Sequence, residues 1–332
     1  MKDKVVAWLR LFRAHTAILE VPLAVTGAVL GLGTFWHIDV VAWALFGVIY
    51  HFAGYGMNSY VDWKKGFDKD DPYKQHHPLN TGTLSPSEAK KGVYAVLCVL
   101  VITALVLTGP TLQSVGLILL MLVSGVAYNY FSKLTSLKFI PIAIVHTMVF
   151  ILPYQTYSSG FSILSLLVAG AIFAHQVFQI MISGDIKDIT QDEASLVQNM
   201  GAQVMEISNG ERILTTGDGV QVVGYFLVIL EISLIVSVLT LGSTTLTHIV
   251  ITSAFSAAML YYSDKVIQDG VYLRTRRVRS MSLKELSGVA MILTSITAIV
   301  GATPVFVVLG ANLAYFLPVS KLLWGNWVRP EV

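Results

Sequence analysis

Residues 57–82 read MNSYVDWKKGFDKDDPYKQHHPLNTG and close one of the most apolar runs of the chain, residues 38–58. Crowding carboxylates, lysines and histidines at the end of such a helix needs a reason. Asn58 and Asp62 stand four apart, on one face if the helix continues, and Asp68, Asp70 and Asp71 follow in a loop begun by Gly66. A second stretch of the same kind, GDIKDITQDE, places Asp185, Asp188 and Asp192 three and four apart, a spacing that predicts a single helical face. Like charges so placed repel each other, and carboxylates at a helix C-terminus oppose its dipole. Both stretches therefore call for cations among the oxygens.

The rest of the chain sets these stretches in a membrane. Of 332 residues, 55% are hydrophobic and only 13% charged, and the mean hydropathy is +0.68. That composition predicts an all-α, polytopic membrane bundle. Apolar runs of spanning length fall at 16–34, 38–58, 91–109, 112–131, 138–157, 162–184, 220–241, 245–262, 284–301 and 303–323, giving nine to ten transmembrane helices, the last two being either two spans or one span and a re-entrant piece. Residues 1–332 read as one integral membrane domain. The connections at 34–38, 109–112, 157–162, 241–245 and 301–303 contain no Lys or Arg. The alternate connections carry Lys64, Lys65, Lys69, Lys74, Lys90, Lys91, Lys133, Lys138, Lys187, Arg212 and the run Arg274, Arg276, Arg277, Arg279, Lys284. The positive-inside rule then puts the N-terminus and both acidic segments on the cytoplasmic side, in the cap segments 59–90 and 185–219, with the plasma membrane the expected location.

Several classes drop out. The single cysteine, Cys98, supports neither a disulfide framework nor a thiolate metal site, and a net charge of +2 spread over several loops argues against nucleic acid. Hard oxygen ligands without His or Cys at ligand spacing suit Mg²⁺, which completes its shell with water and phosphate oxygens. A metal-bridged diphosphate is the ligand this predicts, with Lys64, Lys133 and Lys187 as phosphate partners. In VMEISNGERILTT the pair Asn209-Gly210 between apolar flanks predicts a small β-hairpin. His175 and Gln179, one turn apart ahead of the second acidic segment, are candidate pocket-lining residues. For His146, Glu231 and Asn312 interhelical hydrogen bonding is the expected role.

The paired motifs resemble the UbiA superfamily of intramembrane prenyltransferases. Asn58, Asp62 and Asp68 match its first motif and Asp185, Asp188 and Asp192 its second. HPLNTGTLSPSEA resembles the continuation of the first, and YNYFSKL, with Tyr128 and Lys133, the region after the fourth helix. Ser59, His77 and Asn80-Thr81-Gly82 depart from the family pattern. The resemblance implies a membrane-lipid-embedded site where Asn58, Asp62, Asp68, Asp185, Asp188 and Asp192 hold Mg²⁺ on a prenyl diphosphate, Asp62 and Asp188 being central to catalysis. Tyr128 would face the acceptor or the carbocation. The implied reaction is transfer of an isoprenyl group to an aromatic, quinone-precursor-type acceptor. Terpene cyclisation, prenyl transfer to a glycerol-phosphate lipid, or cation-coupled transport remain open, as does the oligomeric state.

Overall fold

A computed structural model describes residues 2–69, 71, 74–190, 195–207, 211–242, 245–325 and 327. The helices follow in the order α1 (Lys2–Leu11), a 3-10 turn (Ala14–Leu19), α2 (Val21–Leu32), α3 (Ile38–Lys65), α4 (Pro86–Thr108), α5 (Leu112–Phe131), α6 (Phe139–Tyr157) and α7 (Ile163–Val177), which continues as a π-helical stretch (Phe178–Gly184). Then come α8 (Asp185–Lys187), α9 (Leu196–Asn199), α10 (Gly217–Leu241), α11 (Leu246–Ile267), α12 (Arg274–Thr294), α13 (Thr297–Val300) and α14 (Thr303–Trp324), with strands β1 (Gln203–Glu206), β2 (Arg212–Thr215) and β3 (Gly270–Val271). Among the described residues nine helical segments are long and apolar enough to cross a membrane.

The ten apolar runs map onto this set with three differences. The run 245–262 lies in α11, a full-length helix that is not among the nine, because Thr247, His248, Thr252, Ser253, Ser256, Tyr261 and Tyr262 dilute it. The run 16–34 is not one helix. It divides at Glu20 into the 3-10 turn and α2, with Arg13 in the left-handed region at φ 47° and Pro22 near the start of α2. The division lets the buried Glu20 carboxylate meet His51 Nδ1 at 2.7 Å. Finally, α12 starts at Arg274, ten residues before the apolar run, so that RTRRVRS is helix rather than loop. Lys284 becomes a fully buried mid-helix residue instead of part of a basic connection. The last apolar run forms α14, a full-length span.

The chain packs as two compact units. In the unit made of residues 1–122, 148–159 and 306–332, α2 and α4 pack on α3 around Trp43, Phe46 and Phe150. Gly27 allows the close approach of α2 to the end of α6, since a Cβ there would run into the Phe150 carbonyl; small residues at such crossings are how membrane helices gain contact. Asn312 Nδ2 donates to the Ile18 carbonyl at 3.1 Å, the interhelical bond expected of it. In the unit made of residues 123–147 and 160–305, α7 packs on α10 and α11 on α12.

The predicted hairpin forms. β1 and β2 pair antiparallel, Val204 opposite Leu214, while Asn209 and Gly210 lie outside the described residues. A third strand, β3, joins β2 from the α11–α12 connection, with Ile213 opposite Val271.

Candidate active site

The first motif sits at the end of α3. The helix runs on to Lys65, so Asn58 and Asp62 do share it, and Gly66 ends it in the left-handed conformation at φ 94°. That turn brings Asp68 back under cover, 6% exposed. Among the described residues Asp68 Oδ2 has no hydrogen-bond partner, and it has Lys74 Nζ at 3.9 Å and His77 Nε2 at 4.0 Å. Burial pushes the His77 imidazole down to about 4, against the pull of Asp68, so His77 faces Asp68 as a neutral ring at physiological pH. Asn80 ties the loop together. Its Nδ2 donates to the carbonyls of Asp68 at 2.8 Å and Lys74 at 3.0 Å, and its Oδ1 accepts from the Trp63 indole at 3.0 Å. Ser85 and Glu88 then form a capping box that starts α4. Lys64 is exposed, Asp62 is buried, and Asp70 lies outside the described residues.

The second motif differs from the expected single helical face. The π-helical stretch widens the turn just before it, a geometry often found at functional sites. Helix α8 then stops at Lys187, with Asp188 as its C-cap. Asp185 and Asp188 belong to this last turn, whereas Asp192 lies outside the described residues. The fully buried Asp185 pairs with Lys138 Nζ at 2.7 Å, and its Oδ2 accepts from Leu196 N at 2.7 Å and Ser195 Oγ at 3.3 Å, anchoring the start of α9. Asp188 has Arg274 at 3.0 Å, Lys187 at 3.3 Å and Lys133 at 4.0 Å. Burial by itself would raise the Asp188 pKa. The charges of Lys187, Lys133 and Arg274 outweigh it and hold the carboxyl below its ordinary range.

A strap from the α11–α12 connection completes this end of the unit. Tyr272 Oη donates to the carbonyls of Lys187 at 2.6 Å and Ile186 at 3.3 Å, beside the Arg274 contact to Asp188. Farther along α7, His175 Nδ1 lies 2.9 Å from Glu231 Oε1, an interhelical bond as expected for Glu231. Gln179 is buried and its Oε1 accepts from Ser183 at 3.3 Å. His146 Nδ1 lies 3.0 Å from the Ile142 carbonyl of its own helix. Tyr128 is half-buried on α5.

Among the described residues, no three His, Cys, Asp or Glu side chains converge as a ready-made metal cluster. Around Asp185 and Asp188 the charged neighbours are instead ammonium and guanidinium groups.

A family model for the UbiA prenyltransferase family matches residues 21–283, most of the chain. The chain belongs to the UbiA prenyltransferase family. It is an integral membrane protein. Among solved structures, a UbiA homologue from Aeropyrum pernix K1 without ligand is 19% identical, with a TM-score of 0.65 over 86% of this chain and 97% of that one. A digeranylgeranylglyceryl phosphate synthase is 13% identical, with a TM-score of 0.60 over 90% and 99%. A UbiA homologue from Archaeoglobus fulgidus bound to GPP and Mg²⁺ is 17% identical, with a TM-score of 0.56 over 86% and 99%. These likenesses carry the UbiA fold. No curated protein matches the chain in sequence.

Within this UbiA chain, sequence reasoning missed the contacts of Lys138, Tyr272, Arg274 and Asn80. Arg274 stands 86 residues from Asp188, and nothing local marks one arginine of a basic run as the partner. The Asn80 signal was present, as a departure from the family turn, but its meaning lies in which carbonyls it reaches.

Proposed function

We propose that the protein is an Mg²⁺-dependent intramembrane prenyltransferase that moves an isoprenyl group from an allylic prenyl diphosphate to an aromatic acceptor. One observation carries the reading furthest: Asp185 and Asp188 are surrounded by four basic side chains, Lys133, Lys138, Lys187 and Arg274. Four cations against two carboxylates leave a positive surplus that a diphosphate would neutralise.

The donor set fits Mg²⁺. Asp68 offers a buried carboxylate oxygen without a hydrogen-bond partner among the described residues, and Mg²⁺ is commonly held by one or two carboxylates plus phosphate oxygens. Asn58, Asp62, Asp68, Asp185, Asp188 and Asp192 are the proposed holders; for Asp185 this requires Lys138 to yield Oδ1. When bound, the metal stabilises the leaving diphosphate as a Lewis acid. The chain itself does the rest. Lys133, Lys187 and Arg274 take up the phosphate charge as the C–O bond loosens, the apolar helices keep water from quenching the allylic cation, and the Tyr128 ring offers its face to that cation. By the positive-inside rule the motifs face the cytoplasm, with the plasma membrane the proposed location.

A glycerol-phosphate lipid is the second acceptor reading. Arg274 adds a basic group beyond Lys133 and Lys187, as an acceptor phosphate would need, and a synthase of a glyceryl phosphate lipid is among the structural relatives.

The test is diphosphate release from geranylgeranyl and farnesyl diphosphate by the purified protein, with and without Mg²⁺, and with aromatic or glycerol-phosphate acceptors. Release that needs Mg²⁺, Asp62 and Asp188, and that an aromatic acceptor accelerates with formation of the prenylated product, supports the reading, with Asp62→Asn and Asp188→Asn as the variants. A cyclic product formed without acceptor points to a cyclase. No release from folded protein refutes prenyl transfer.

A further inference from the structure

Among the described residues two Glu–His pairs are buried in spanning segments, one in each unit, and they differ in how far the imidazole is satisfied and in whether a lysine joins the pair. In the first, Glu20 accepts from His51 Nδ1, and His51 Nε2 has the Arg13 carbonyl at 3.1 Å and Thr16 Oγ1 at 3.3 Å. Both ring nitrogens are used. In the second, His175 Nδ1 lies 2.9 Å from Glu231 Oε1, and Lys284 Nζ lies 3.2 Å from Glu231 Oε2 and 3.2 Å from His175 Nδ1. All three side chains are fully buried, yet His175 Nε2 has no hydrogen-bond partner among the described residues. One turn on, toward the second motif, the Gln179 Nε2 amide is buried and likewise without a hydrogen-bond partner among the described residues.

The tautomer follows from the neighbours. A carboxylate only accepts and an ammonium only donates. With Nδ1–H donating to Glu231 Oε1 and Lys284 donating to Oε2, both carboxylate oxygens are satisfied, and Lys284 Nζ stands near Nδ1 as a neighbour through their shared carboxylate rather than as its donor. The other tautomer would set the Nδ1 lone pair against a carboxylate oxygen at 2.9 Å. His175 Nε2 therefore carries a lone pair, held by an oriented carboxylate whose charge Lys284 balances. Ionisable groups are costly inside a bilayer and mark functional sites there. An unmatched imidazole nitrogen with an unmatched amide one turn away along the chain suits the polar head of an otherwise apolar ligand.

Resting on the transferase reading above, we propose that His175 Nε2 is the proton acceptor for a hydroxylated aromatic acceptor whose polar group Gln179 holds, with Glu231 and Lys284 as positioning residues. As the acceptor ring carbon bonds to C1 of the prenyl group, the C1–O bond breaks and its electron pair leaves with the diphosphate. The acceptor exchanges one ring hydrogen for the prenyl carbon, and that proton ends on His175 Nε2 before passing to water. Glu231 keeps the ring in the correct tautomer and stabilises the imidazolium that forms.

The experiment uses the full chain in nanodiscs with geranylgeranyl diphosphate, Mg²⁺, and either hydroxybenzoate or dihydroxynaphthoate. It measures prenyl transfer and, separately, the slow acceptor-free release of diphosphate. Two variants are compared with wild type: His175→Gln, and the charge-balanced double variant Glu231→Gln/Lys284→Met, which removes a buried ion pair without orphaning either partner. We expect each to lower transfer by about 100-fold, within the range for general-base catalysis, while acceptor-free release and the KM for the prenyl diphosphate stay at wild-type values. Added imidazole should partly restore His175→Ala. Wild-type transfer by either variant overturns the proposal, as does a joint fall of transfer and acceptor-free release, which would mean a structural role. If His175→Gln does not fold, the double variant decides alone. Failure of the transferase reading is distinguishable, because wild type would then show either no Mg²⁺-dependent diphosphate release or release with a cyclic product and no prenylated acceptor.

Discussion

Gly288→Ala is the sharpest structural test of the buried charge centre. A Cβ at Gly288 would meet His175 Cε1 and Nδ1 at less than van der Waals separation and lie 2.8 Å from Glu231 Oε1. The methyl therefore strikes the hydrogen-bonded pair itself. Overpacking a filled core costs about 1–3 kcal/mol, and breaking a buried ion pair about 3–5 kcal/mol. Because relieving the first forces part of the second, we expect a loss of about 3–5 kcal/mol in all. Gly116→Ala is the control: it lies in a helix, and beyond its chain neighbours and its own helix's backbone no described heavy atom stands within 4 Å of the place its methyl would take, so better helix propensity should stabilise by about 0.5–1 kcal/mol. The assay is reversible unfolding in mixed micelles, followed by circular dichroism. If Gly288→Ala unfolds at the wild-type midpoint, the close packing of α12 on His175 and Glu231 is wrong, and the charge centre loses its geometric basis.

Three further outcomes are expected. Asn80→Ala should weaken the apparent Mg²⁺ affinity of diphosphate release by about 10-fold, the low end for removing a group that supports a metal ligand, measured by Mg²⁺ titration; unchanged affinity would detach Asn80 from Asp68. Arg274→Gln should raise the KM for prenyl diphosphate by about 10-fold or more, on losing a charge-assisted hydrogen bond of about 1.5–3 kcal/mol, while Arg276→Gln should not. Lys138→Met leaves the buried Asp185 carboxylate without its cation and should destabilise by about 3–5 kcal/mol; adding Asp185→Asn should restore much of that stability, and a double variant no better than the single would refute the pairing.

Much of the architecture was legible in the chain. Hydrophobic runs of spanning length mark membrane helices because lipid satisfies no backbone polar group, and that logic does not depend on distant residues. The acidic motifs were legible too, since Asn58 and Asp62 share a helix through local spacing, and Gly66 ends it as only a residue at ease with positive φ readily does. The β1–β2 pairing was written in the flanks of Asn209-Gly210. What local pattern could not supply was termination and partnership. Spacing alone extended the second motif as one helix, whereas the π-helical stretch and the caps on Ile186, Lys187 and Asp188 from Tyr272 and Arg274 end it.

The same division holds for the charges. Sequence by itself determined that Glu231, His175 and Lys284 exist, and assigned Lys284 to a basic connection by its neighbours in the chain. Only the tertiary structure decided that the three meet, out of solvent, across helices α7, α10 and α12. The physical reason is range: helix formation and turn chemistry are settled within a few residues, whereas desolvating a charge is tolerable only where its counter-charge arrives, and that depends on which helices pack together.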